Sequence, residues 1–73
     1  MVEYDGLLLA VGQRITEHRL AVGWTQHDLA DATRINRVTI SRLERGRQNF
    51  GISQLVTIAT ALECTPNDLV WLA

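Results

Sequence analysis

The sequence predicts an all-α domain of five short helices, and three observations carry that prediction. Apolar residues recur at spacings of three and four along much of the chain, the period of a helix with one buried face. Two boxes of the form Thr-x-x-Asp, Thr25-Gln26-His27-Asp28 and Thr65-Pro66-Asn67-Asp68, mark helix starts. Gly23 and Gly46 follow periodic runs, where a left-handed residue ends a helix, and almost nothing alternates as a strand would.

Helix one is expected from Leu7 to Val22, with Leu8, Val11, Ile15 and Val22, and His18 between them, along one face. Gly23 stops it, and Met1 to Gly6 are left as a tail. Helix two begins at Gln26: the Thr25 oxygen accepts from the Asp28 amide while the aspartate reaches back to the cap's own amide. Leu29, Ala30 and Thr33 face inward, and the helix ends near Arg34 because Ile35-Asn36 reads as a turn and a fresh N-cap. Helix three runs from Arg37 to about Arg45, with Ile40 and Leu43 inward and Arg37, Val38, Ser41, Arg42 and Arg45 on the other side. A loop through Arg47-Gln48-Asn49-Phe50-Gly51 leads to helix four, Ile52 to Leu62, whose Ile52, Leu55, Ile58, Ala59 and Leu62 are expected to close the core. Helix five is Pro66 to about Leu72, with proline at the first helical position, where a missing amide is harmless. Residues 7–73 therefore read as one helical domain behind a 1–6 tail, with helices two and three separated by a short turn.

A chain of 73 residues with 47% apolar content can bury one modest core without disulfides or metal, and leaves no room for a ligand-sensing second domain. Cys64, the lone cysteine, excludes an internal disulfide and any multi-cysteine zinc pattern; it reads as a small core residue in a reducing, cytoplasmic setting. Leu7-Leu8-Leu9-Ala10-Val11 is far short of the roughly 20 apolar residues of a membrane span, so no membrane association is expected. His18 and His27 lie on different helices and offer no metal site, and neither a cofactor nor a small-molecule ligand is expected. Paired carboxylates, a phosphate-cradling glycine loop and a nucleophile with a partnered base are all missing, which argues against an enzyme.

The net charge is −1, yet the charges are segregated. All seven basic residues are arginines, and five of them, Arg34, Arg37, Arg42, Arg45 and Arg47, fall in one segment whose sole acid is Glu44. Phosphate binding needs local rather than net charge. A capped helix, a short turn and a second helix exposing arginine and small polar groups have the geometry of a major-groove reader.

The stretch from Val11 to Leu72 resembles the lambda-repressor-like, or Xre/Cro-type, helix-turn-helix family. The resemblance rests on Val11-Gly12-Gln13-Arg14-Ile15, Gly23-Trp24-Thr25-Gln26, Leu29-Ala30, Thr39-Ile40-Ser41-Arg42-Leu43-Glu44-Arg45-Gly46 and Leu55 at matching offsets. It implies five helices, double-stranded DNA read by the third, and a homodimer on a palindromic operator with half-sites about 34 Å apart. Asn36, Arg37, Val38, Ser41 and Arg42 occupy the family's base-reading positions; Arg37 or Arg42 suits guanine and Val38 a thymine methyl. Capping alone is the alternative reading for Asn36, and a solvated charged face that for the two arginines. Gln26 matches a glutamine that meets a phosphate at the start of helix two, against the plainer reading of an exposed first-turn residue. Arg45, Arg47, Gln48 and Asn49 match backbone-contacting positions, and Thr39 either reaches a phosphate or bonds its own helix. Arg34 stands where the family prefers a glycine of positive φ, which implies strain or a slightly different turn, with a phosphate contact as compensation.

Arg19 and Glu44 match a family salt bridge tying helix one to the end of helix three, a structural pair in which losing one partner leaves the other charge partly buried at a cost of about 1–4 kcal/mol. Glu63 and Phe50 replace a family glycine and proline, and His18 an aliphatic residue. Trp24 is expected over the junction of helices one and two. Leu7, Val70, Trp71 and Leu72, with the rest of the Leu7 to Leu9 patch, form the expected dimer surface, ordinary core packing being the alternative. The resemblance implies a transcription regulator acting for or against RNA polymerase, with Leu43-Glu44-Arg45-Gly46-Arg47-Gln48-Asn49 resembling restriction-modification controller proteins. An antitoxin that represses its own operon, and a protein-interaction module on the same scaffold, are the competing readings.

Overall fold

The computed structural model describes the backbone of residues 3–70. Five helices follow in order: α1 Glu3–Ala21, α2 Gln26–Thr33, α3 Arg37–Glu44, α4 Ile52–Ala61 and α5 Pro66–Val70. There is no strand among the described residues. α1 packs on α3 and α5, α2 on α3 and α4, and α4 on α5, so the two helices of the helix-turn-helix rest on a three-helix support.

The core is one cluster of Val11, Ile15, Leu29, Ala30, Ile40, Leu43, Ile58, Ala59, Leu62 and Leu69, flanked by half-buried Trp24, Ile35, Phe50, Leu55, Ala61 and Cys64. Six of its side chains, Ile15, Leu29, Ile40, Leu43, Ile58 and Leu69, are fully buried, each contributing about 1.5–3 kcal/mol of transfer free energy. Helices of eight residues are too short to persist alone, so this burial is what holds α2 and α3.

Three expectations need correction. α1 starts at Glu3 rather than Leu7, so residues 3–6 of the expected tail are helical. Val22 is 47% exposed because the helix has already ended and the chain reverses at Gly23, φ 80°; Arg19, one turn earlier, takes the inward position. Ile52 is 81% exposed: at the first turn of α4 it lies ahead of the stretch that meets the core, which begins in earnest at Leu55 and Ile58. Residues 71 and 72, expected in helix five, lie outside the described residues.

The helix ends show how the turns are made. α1, α3 and α4 finish in the same motif, with the amide after a left-handed residue reaching back five positions: Trp24 to Arg19 O (3.1 Å), Arg47 to Arg42 O (2.9 Å) and Cys64 to Ala59 O (2.9 Å). The left-handed residue is glycine in two of them, Gly23 and Gly46, but Glu63 (φ 59°) in the third. Both capping boxes form. Thr25 N–H donates to Asp28 Oδ2 (2.9 Å) and Thr65 N–H to Asp68 Oδ2 (2.8 Å), and these bonds hold both carboxyls below the usual aspartate range. Gly51 N–H donates to Gln54 Oε1 (3.1 Å), a cap on α4 that no Ser or Thr announced.

Candidate nucleic-acid interface

The turn between α2 and α3 is three residues long and each is fixed. Arg34 adopts the left-handed conformation, φ 62° and ψ 21°, and its N–H donates to Ala30 O at 2.8 Å. Ile35 N–H donates to the Thr33 hydroxyl at 3.2 Å, and that hydroxyl donates back to Leu29 O at 2.8 Å. Asn36 caps α3, its Oδ1 accepting from Val38 N–H at 2.7 Å.

α3 then divides cleanly. Ile40, Leu43 and Glu44 are buried. Arg37, Val38 and Arg42 are exposed, with Ser41 and Thr39 half-buried beside them. Val38 is 49% exposed, a value that places an apolar group in the middle of the charged face. Arg45 and Arg47 are exposed at the end of the helix, as is Asn49, with Gln48 half-buried. None of Arg34, Arg37, Arg42, Arg45 and Arg47 pairs with an acid among the described residues, so their charge is directed to solvent. The outward side of α3 is not covered by the protein's own described chain.

Behind this face lies a buried hub. Glu44 Oε2 accepts from Arg19 Nε at 2.8 Å, and Oε1 accepts from Arg19 Nη2 at 3.1 Å, Thr16 Oγ1 at 2.9 Å and Gln26 Nε2 at 3.1 Å. Arg19 also donates from Nη1 to Trp24 O at 2.7 Å. The Arg19–Glu44 pair thus joins α1 to the end of α3 as expected. The resemblance gave no hint of Thr16 in the hub, although it lies one turn before Arg19 on the same helix face. The Gln26 side chain, expected on a phosphate, spends one amide hydrogen on Glu44; of the first-turn N–H groups of α2, that of Asp28 is taken by the Thr25 hydroxyl at 3.0 Å, and those of Gln26 and His27 have no acceptor within the helix.

Two glycines set the approach of α1 to this helix. A Cβ on Gly12 would sit 2.4 Å from Leu43 O and 2.6 Å from Glu44 O; one on Gly46, φ 70°, would sit 2.6 Å from Leu9 Cα. Only hydrogen fits at either crossing. Leu7 and Val70 of the expected dimer surface are 40% and 38% exposed, while Trp71 and Leu72 lie outside the described residues. No group of His, Cys, Asp and Glu arranged to hold a metal occurs among the described residues, and none of their helices is long and apolar enough to cross a membrane. His27 instead sits 3.6 Å from Asp31 on α2, and the Cys64 thiol is pushed up from its ordinary pKa by burial and by the Asp68 charge.

Comparison with known proteins agrees with this geometry. The model of the helix-turn-helix family HTH_3 matches residues 15–69. The competence pilus inhibition repressor of Acinetobacter baylyi is 33% identical over 63 residues, 86% of this chain and 57% of its own length. The chain spans about half the length of the curated relatives it matches. Among solved structures, the restriction-modification controller protein C.AhdI of Aeromonas hydrophila superposes with a TM-score of 0.83 at 35% identity, over 85% of this chain and 94% of that one. The controller protein C.Esp1396I, solved as a tetramer in complex with its natural 35 base-pair operator, gives a TM-score of 0.76 at 39% identity, over 81% of this chain and 78% of that one. The chain belongs to the HTH_3 helix-turn-helix family.

Proposed function

We propose that this chain binds double-stranded DNA sequence-specifically, as a homodimer on a palindromic operator, and regulates transcription by where that operator lies relative to RNA polymerase. The observation that carries the reading is the outward face of α3, where Arg37, Val38 and Arg42 are exposed, Ser41 is half-buried beside them, and exposed Arg45 and Arg47 flank them. In this reading Asn36, Arg37, Val38, Ser41 and Arg42 meet base edges. The α2 N-terminus with Gln26, and Thr39, Arg45, Arg47, Gln48 and Asn49, hold phosphates. The likeness to controller proteins, one of them solved on its operator, supports a small regulator of that type working in the cytoplasm. Leu7 and Val70, exposed on α1 and α5, begin the dimer surface that Trp71 and Leu72 continue in sequence.

Selection of bound sequences from a random duplex pool tests the proposal, the expected product being an inverted repeat. Arg42→Ala should then relax one position of each half-site, at about 1–3 kcal/mol, while Gln26→Ala weakens all sequences alike. Equal effects of the two changes would overturn the division into readers and anchors. Failure of the purified protein to bind any duplex in dilute buffer would overturn the function itself.

A further inference from the structure

Glu44 lies in the buried hub, yet one of its hydrogen bonds reaches the start of α2. Its Oε1 accepts from Gln26 Nε2 at 3.1 Å, and Gln26 is the half-buried first residue of that helix. The carboxylate, ion-paired with Arg19, has no proton to donate, so only the NH2 end of the amide can face it; a flipped amide would set one acceptor oxygen against another. The bond therefore fixes which end of the amide lies inward. The second N–H of Nε2 is left without an acceptor among the described residues, at the same helix end as the backbone N–H groups of Gln26 and His27. Two hydrogen bonds of about 3 Å meeting at one amide nitrogen would place a phosphate oxygen about 5 Å from the Glu44 carboxylate, close enough for two bare anions to repel. The carboxylate is not bare: Arg19 donates to it from Nε at 2.8 Å and from Nη2 at 3.1 Å.

We infer that Glu44 is a positioning residue for the phosphate contact of α2. It holds the Gln26 amide with one N–H in the hub and the other presented to a DNA phosphate, while Arg19 cancels the charge that would repel that phosphate. The inference rests on the DNA-binding reading above and deepens one part of it. It gives the buried ion pair a share in binding that is distinct from its hold on α3, because the bond to Gln26 acts on the neighbouring helix. An amide pinned in this way donates without the loss of rotamer freedom that a loose glutamine side chain undergoes on binding.

The test is a double-mutant cycle of Gln26→Ala and Glu44→Asp on the full chain, with the duplex recovered by selection as ligand. Aspartate keeps the charge opposite Arg19 but is one methylene too short to reach Arg19 and Gln26 together. Glu44→Asp is expected to weaken binding at least about fivefold more in the parent than in the Gln26→Ala background. The slope of log affinity against log salt should stay at the parent value in all four proteins, since no charge is lost. An effect exerted only through the pose of α3 would weaken both backgrounds equally, and that result would overturn the inference. Should Glu44→Asp fail to fold, the Gln26 side-chain amide in nitrogen-edited NMR spectra of the parent decides the matter. One of its two protons should be displaced from the free-glutamine position before DNA is added, and the other should move when the duplex is added. A second proton unmoved by a duplex that the protein binds would overturn the inference. A parent that binds no duplex, with the first proton still displaced, would instead overturn the reading on which it rests.

Discussion

Removing the carboxylate of Glu44 should cost this domain a large part of its stability, and the structure gives the groups that set the loss. The side chains of Arg19 and Glu44 are only 10% and 5% exposed, and their shortest contact is 2.8 Å. Glu44 accepts four hydrogen bonds, from Thr16, twice from Arg19, and from Gln26. In Glu44→Ala the Arg19 guanidinium keeps only its bond to Trp24 O, at 2.7 Å, and stays buried with its charge uncompensated. Breaking a buried pair from one side costs about 3–5 kcal/mol. At about 0.05–0.15 kcal/mol per residue, a domain of this size holds roughly 4–11 kcal/mol in all. Glu44→Ala should therefore keep at most about three-quarters of the parent's stability and, at the low end of that range, be unfolded at room temperature, as should Arg19→Met. The double variant Arg19→Met with Glu44→Ala removes both charges, and Thr16 retains Gly12 O at 3.1 Å as acceptor, so it should recover at least about 2 kcal/mol of the summed single losses. Urea unfolding followed by circular dichroism measures all four proteins. A loss below about 1 kcal/mol in Glu44→Ala, or strictly additive losses in the cycle, would refute the assignment of the hub as a buried, mutually dependent network.

The remaining predictions probe the backbone and the caps. Glu63→Gly relieves a left-handed residue at the end of α4 and should stabilise the fold by about 0.5–1 kcal/mol with no change in operator preference; a lower melting midpoint would contradict it. Gly12→Ala should destabilise by about 3 kcal/mol or more although alanine favours helix by about 1 kcal/mol, because its methyl would meet Leu43 O and Glu44 O; unchanged stability would show that α1 can move off α3 freely. Asp28 and Asp68 have carboxyls held below their ordinary pKa by the Thr25 and Thr65 bonds, so they contribute stability that is present above the unfolded value near 4 and is lost as pH falls through the depressed folded values. The variant Asp28→Asn with Asp68→Asn should lose stability less steeply than the parent in acid titration from about pH 5 to pH 2, and parallel curves would count against the caps.

The capped elements were legible in the sequence because their signals are local. Thr25, Asn36 and Thr65 each mark a helix start within a residue, since a cap acts through bonds spanning two or three positions. The charged face of α3 was legible for the same reason: at the helical period Arg37, Val38, Ser41, Arg42 and Arg45 fall within one arc, opposite Ile40 and Leu43. Ile52 and Val22 were misplaced because periodicity reports which residues share a face and not where along its length that face meets a partner. The four-way junction at Glu44 was half visible. The Arg19 partnership came from family resemblance, while Thr16 and Gln26 join it through the crossing of three helices, which no spacing rule encodes.

That junction bears on how an eight-residue helix holds a fixed pose against a ligand. α3 has two fully buried aliphatic anchors, Ile40 and Leu43, both on the side away from its arginines, and two apolar anchors alone allow a short helix to roll about its axis. Rotation is opposed by contacts that are directional. Glu44 is gripped from α1 by Arg19 and Thr16 and from α2 by Gln26, and Gly12 lets the α1 backbone close on the carbonyls of Leu43 and Glu44. At the other end Asn36 ties the first turn to the left-handed residue Arg34 and its bond to Ala30. The angle at which Arg37, Val38 and Arg42 face outward is thus set by the buried hub behind the helix together with the cap at its start. A change at Thr16 or Gly12 should consequently alter binding to all duplexes through the pose of α3, whereas a change at Arg42 alters which duplex is preferred.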